Sequence, residues 1–151
     1  RLLDGGLTTK SSKSGKRMLK YWQLDDGREP VLMKNVHERH PCTIWTMMST
    51  ANYHWHYTHY SALASEYEYR YGKKHGAFER DTQIGEMLKT PPKNLPRRNL
   101  TPFPLAMGAA PECIIDDDPV GSYRAFYHTK QDRFKMAWTK RDIPSWFTPN
   151  V

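Results

Sequence analysis

This sequence predicts a mainly α fold: a single compact helical domain of about four helices with long proline-rich connections. Three observations carry that expectation. The stretch from His40 to His75 has no Gly or Pro between Pro41, which opens it, and Gly72 in its last turn. Within that stretch aromatic residues recur at helical spacing, with Tyr53, Tyr57, Tyr60, Ala64, Tyr67 and Tyr71 on one face once Ser49 or Thr50 is taken as the N-cap. Pro41 and Pro119 each suit the first position of a helix, where the missing N–H costs nothing.

The bulk numbers bound the rest. A chain of 151 residues has the length of one domain and can bury a real core. Aromatic content of 13% against a mean hydropathy of -0.83 points to a core of Tyr, Trp and Phe rather than aliphatic layers. The formal charge is +7, from 23 Lys and Arg against 16 Asp and Glu, so an anionic partner is expected, with nucleic acid first among the candidates and DNA ahead of RNA. Cys42 and Cys113 do not make a disulfide framework, which fits a reducing compartment, and no apolar run reaches the ~18 residues a membrane span needs. A cytoplasmic location follows, with no membrane partner; for a phage-encoded protein it is the host cytoplasm.

Taken in order, Arg1 to Gly6 (RLLDGG) reads as a helix end with a glycine stop, so the natural chain is expected to begin earlier. Residues 7–20 are rich in Ser, Thr, Lys and Gly and are expected to be a flexible basic loop, solvated or contacting phosphate. Ser14-Gly15-Lys16 lacks the pattern of a phosphate loop. Tyr21 to Leu24 and Val31 to Met33 are short pieces that could pair as a hairpin. A helix starts at Pro41 with Cys42, Ile44, Trp45 and Met48 on its apolar face, and Ser49 to Asn52 offers either a continuation or a fresh cap. The main helix ends between Gly72 and Gly76. Ala77 to Lys89 predicts a further amphipathic helix, weakened by Gly85. Residues 90–104 hold prolines that exclude regular helix, together with Lys93, Arg97 and Arg98 and no acid, and read as an extended basic connection. Asp118-Pro119 reads as a cap and first residue, favoured over metal binding by Asp116 to Asp118. The last long helix is expected to carry Val120, Tyr123, Tyr127, Phe134 and Trp138, and Ile143 to Phe147 to close the chain as an aromatic anchor.

The chemistry is less specific. His54, His56 and His59 lack the spacing of a zinc motif and have no CxxC beside them, so no metal and no cofactor is expected. Beside the tyrosine stripe runs a face with Trp55, His59, Ala62, Glu66 and Arg70. Glu66, Arg70, Lys73 and His75 gather at one helix end. A carboxylate beside cations can act as a general base, which makes Glu66 and His75 the candidates for catalysis, although Glu66 and Arg70 at i, i+4 also make an ordinary helix ion pair. Candidates for phosphate contact are Arg70, Lys73, Lys74, Arg97, Arg98, Arg124, Lys140 and Arg141; candidates for base stacking are Trp55, Tyr69 and Trp146.

The combination His40-Pro41-Cys42-x-Ile44-Trp45, Asn52-Tyr53-x-Trp55 and Glu66-Tyr67-x-Tyr69-Arg70-Tyr71-Gly72-Lys73-x-His75 resembles an uncharacterised family of small proteins found in phages and some archaea and bacteria. Thr101-Pro102-Phe103-Pro104, Asp118-Pro119-Val120 and Trp138-x-Lys140-Arg141 extend the resemblance to about Phe147. It implies an additional N-terminal segment before Arg1 and no assigned activity. There is also a faint similarity in style to phage pyrimidine-dimer DNA glycosylases, from which no catalytic residue carries over, since Arg1 does not match their N-terminal amine. The expectation is a phage-type nucleic-acid-binding protein extending to DNA processing, such as base excision or base modification. The alternative is a structural or interaction protein of a phage particle or host complex, using the aromatic helix for a partner or a second copy.

Overall fold

The computed structural model describes residues 6–23, 28, 31–33, 36–79 and 83–150, and in them the chain is mainly helical. The helix end expected over Arg1 to Gly6 lies outside the described residues except for Gly6, which starts a strand. Where the sequence reading expects one domain, the chain divides into two compact units, Arg1–Thr101 and Pro102–Val151.

The first unit opens with a hairpin. Strand β1 (Gly6–Ser11) pairs antiparallel with β2 (Met18–Gln23), Ser11 opposite Met18 and Gly6 opposite Gln23. This corrects two expectations. Residues 7–20 are not a loop throughout, and Tyr21–Gln23 pair with Gly6–Thr8 rather than with Val31 to Met33. The Ser, Lys and Gly composition belongs to the tip, which Ser12 closes: its N–H donates to the Arg17 carbonyl (2.7 Å), its carbonyl accepts from the Gly15 N–H (2.8 Å), and its Oγ accepts from the Arg17 N–H (3.2 Å). Gly15 sits at φ +70°, a left-handed position that glycine takes without strain.

Helix α1 (Pro41–Met48) has Pro41 in its first turn, and the His40 ring accepts from the Cys42 N–H at 3.2 Å. Its ladder stops at Ser49, whose extended backbone (φ -160°, ψ 159°) makes it the cap of α2 (Thr50–Tyr71) as well. The Ser49 Oγ accepts from the Asn52 N–H at 3.0 Å, so the fresh-cap alternative is the one the chain adopts. Gly72, at φ +66°, ends α2 and donates its N–H to the Glu68 carbonyl at 2.8 Å. The segment expected as one helix from Ala77 to Lys89 contains two, α3 (Gly76–Glu79) and α4 (Gln83–Lys89).

The tyrosine stripe of α2 is packed from Tyr53 to Tyr67, while Tyr71 at its end is exposed. The Tyr53 hydroxyl donates to the Leu88 carbonyl at 2.7 Å, Tyr60 stacks on Phe78 with ring centres 4.1 Å apart, and Tyr67 meets Tyr71 at 4.8 Å and the edge of His75 at 4.9 Å. Residues 90–101 then cross the α1–α2 junction as an extended strap without regular structure. Ser49 and Asn52 are fully buried beneath it. The Ser49 Oγ donates to the Asn99 carbonyl, and the Asn52 amide spans Trp45 and Thr101: Nδ2 donates to the Trp45 carbonyl (2.8 Å) and to the Thr101 Oγ1 (2.8 Å), while Oδ1 accepts from the Thr101 N–H (3.0 Å).

The second unit packs Leu105, Tyr123, Ala125 and Phe126 around the buried Met107, Ala110 and Cys113. Cys113 ends a 3₁₀ turn, Pro111–Cys113. Helix α5 (Pro119–His128) starts as expected, with the Asp118 carboxylate accepting from the Gly121 N–H at 2.8 Å and Pro119 in the first turn. It ends at His128, however, so Phe134 and Trp138 are not on it. Beyond this point the N–H groups of Lys130, Gln131 and Arg133 bond three residues back, only that of Phe134 among the bonds here reaches four back to Lys130, and the helix gives way to turns.

Candidate nucleic-acid interface

In the first unit the catalytic candidates are already engaged. Glu66 Oε1 receives the Arg70 Nε–H at 2.6 Å, a helical ion pair one turn apart, with Arg70 the less exposed partner. The His75 Nδ1 accepts from the Ala77 N–H at 3.1 Å and so caps α3, which leaves its proton on Nε2. Lys73 and Lys74 follow the glycine stop and are exposed. Arg97 and Arg98 are exposed too, but they lie on the strap beside Ser49, at the other end of α2. Twenty-two residues of helix make about 33 Å. The cations expected to act together therefore form two groups, one at each end of that helix.

Trp55 is 41% exposed and Tyr69 49%. Trp55 is partly covered, since His59 stacks on it at 5.3 Å and the edge of Trp45 meets it at 5.6 Å. His56, the residue after Trp55, has a contact the sequence did not suggest. Its Nδ1 lies 2.6 Å from Thr46 Oγ1, which lies 2.7 Å from the Cys42 carbonyl. The hydroxyl has one proton, and a carbonyl can only accept it. The relay therefore runs from His56 Nδ1–H to the hydroxyl and on to the carbonyl. Burial, and secondarily His59, holds the His56 pKa below its usual value, in keeping with a neutral ring.

In the second unit the structure joins two candidates. The Arg124 guanidinium lies over the Trp146 ring, 5.5 Å from its centre. Tyr127, one turn after Arg124 on α5, is 53% exposed and its ring centre is 6.3 Å from that of Trp146. Behind this patch, His128 stacks flat on Phe147 (4.9 Å, 7°), and its Nε2 is 3.2 Å from the Trp146 carbonyl. Gln131 binds the Thr148 carbonyl and the Asn150 N–H. Two further cations lie over rings, Lys130 on Phe126 at 3.8 Å and Arg133 on Phe134 at 5.5 Å. Lys140 and Arg141 sit in a turn, both exposed, with Lys140 at φ +59°.

No protein-family model, curated protein or solved structure matches this chain. Among the described residues no three His, Cys, Asp or Glu side chains gather as they would around a metal ion, and no helix is long and apolar enough to cross a membrane. Sequence reasoning named Arg124 and Trp146 separately; it missed Tyr127 and His128 as their neighbours. Asn52 and Thr46 were missed as well, because their partners come from other segments. A polar residue within an aromatic helix start is the only local hint of Asn52.

Proposed function

We propose that this chain binds nucleic acid, as a phage-type protein, through exposed cations and aromatic rings. The observation that carries this reading is Arg124 lying over Trp146 beside the exposed Tyr127. A guanidinium held on an indole keeps its outward N–H groups for phosphate, and the adjoining ring edges offer bases an apolar platform. The excess positive charge supports the reading, and so does the separation of the cations at the two ends of α2, about 33 Å against roughly 34 Å for one turn of B-DNA. Because Glu66 and His75 already serve as ion-pair and capping partners, the proposal stops at binding.

The test is a salt series with labelled single-stranded and duplex DNA. Wild type should bind with an affinity that falls steeply with salt. Arg124→Ala should reduce the log–log slope by about 1. Trp146→Ala should weaken single-strand binding by about 1–3 kcal/mol without changing the slope, and Trp146→Phe should recover most of that loss. Absence of salt-dependent binding to either DNA would overturn the proposal. A second reading, a protein-interaction module, is favoured by the exposed Ile44, Met48, Leu63 and Tyr71 of α1 and α2. It would take precedence on that outcome.

A further inference from the structure

Resting on the nucleic-acid reading, we infer that the hairpin Gly6–Gln23 is an arm that enters the major groove of duplex DNA, its basic tip leading. Between Gly6 and Gln23 the sequence holds five Lys or Arg and no Asp or Glu, so this ribbon supplies most of the chain's formal +7. The charge is concentrated at one end: Lys13, Lys16 and Arg17 lie in or beside the turn and are exposed. The turn is closed by the three backbone bonds of Ser12 and is further braced by a 3.2 Å contact between the Ser12 and Ser14 hydroxyls. The tip thus has a defined shape, and the hairpin's own sequence holds no acidic residue.

Dimensions fit the groove. Strands of six residues extend about 20 Å, and paired strands lie about 4.8 Å apart. With side chains the ribbon matches a B-DNA major groove roughly 12 Å wide and 8.5 Å deep, which admits a two-stranded ribbon. The major groove of A-form RNA is too narrow and deep for side chains to read, and a single strand has no groove. Among the described residues, neither strand makes an extensive contact with a helix. A two-stranded ribbon alone is marginal in water, so a surface that neutralises its cations and covers its strands would stabilise it.

The experiment compares wild type with a triple variant, Lys13→Gln, Lys16→Gln and Arg17→Gln, on three probes of one sequence: duplex DNA, single-stranded DNA and duplex RNA. Guanine N7 methylation protection on the DNA duplex is read in parallel, because N7 lies in the major groove. The expected result is a loss of at least about tenfold in duplex DNA affinity at about 0.1 M salt, with a salt slope shallower by about 2 to 3. Single-strand and RNA binding should change by less than about threefold, and N7 protection by wild type should vanish in the variant. An equal loss on all three probes would overturn the groove arm, leaving only diffuse charge, and so would wild-type duplex binding by the variant. Failure of wild type to bind any probe would instead overturn the parent reading. Ser12→Ala, which keeps every charge but removes the hydroxyl that accepts from Arg17, should lower duplex affinity alone. Unchanged duplex binding by that variant would overturn the requirement for a shaped tip.

Discussion

At the junction of α1 and α2 the fully buried side chains are Ser49 and Asn52, both polar, and each bonds to backbone contributed by another segment. Around Met107, 1% exposed, the second unit buries thioether, methyl and thiol groups against Leu105, Tyr123 and Phe126. Both regions fix an extended segment onto a helix with directional bonds, in the second unit from the Tyr123 hydroxyl to the Pro104 carbonyl and from the Ile115 N–H to the Ser122 hydroxyl, but there an apolar cluster shares the task, as it does not at the Asn52 junction. Apolar packing is non-directional and tolerates exchange of similar volumes. The Asn52 amide tolerates almost nothing, because the Trp45 carbonyl can only accept and the Thr101 N–H can only donate. That also settles which way the amide points.

The sharpest way to break the comparison is Asn52→Ala. It removes the amide that the Trp45 carbonyl and the Thr101 N–H both bond, and we expect a loss of about 4 kcal/mol in urea unfolding, with faster amide exchange in α2. A loss below about 1 kcal/mol would mean that the strap is not held by this amide. Next comes Met107→Ala, expected to cost about 3 kcal/mol through lost burial and a residual cavity. Here Met107→Leu should restore most of the loss, whereas Asn52→Asp, of nearly equal volume, should not rescue the junction. Comparable rescue at both sites would erase the distinction.

The smallest effect concerns pH. His56 has a folded pKa below its ordinary 6.5, so between the two values the unfolded chain binds the proton more readily. Stability from the neutral ring is therefore complete above about pH 6.5 and declines as pH falls toward the folded value. The denaturation midpoint of wild type should drop more between about pH 7.5 and 5.5 than that of His56→Gln. Parallel curves for the two proteins would remove His56 from the account.

What could be read from sequence was what local chemistry decides. Ser49, Gly72 and the Asp118-Pro119 pair mark helix ends because a cap bonds within three or four residues of itself, and the Tyr53 to Tyr67 period gave the packed face of α2. The hairpin was missed because the polar composition of its tip masked the strands on either side. The run of α5 was overextended because apolar residues at Phe134 and Trp138 kept helical spacing past Thr129, where the bonding changes mainly to three-residue steps. At the interface, the types of residue were legible but their grouping was not. Arg124 and Trp146 meet only because the C-terminal segment returns to α5, and the cations of Lys73 and Arg97 are held apart by the length of α2.

The Asn52 to Thr101 bonds join positions 49 residues apart. Closing a loop of that length costs on the order of 3.5 kcal/mol of chain entropy, comparable to what the amide contributes once made. The helices can form from local bonds early, but the strap can only dock late, after both elements exist. During synthesis, Thr101 emerges last of the first unit's residues, so until then the Asn52 amide can bond Trp45 but its oxygen and its second N–H stay hydrated. The order in which this unit acquires its final shape is thus written into which residue completes the bond.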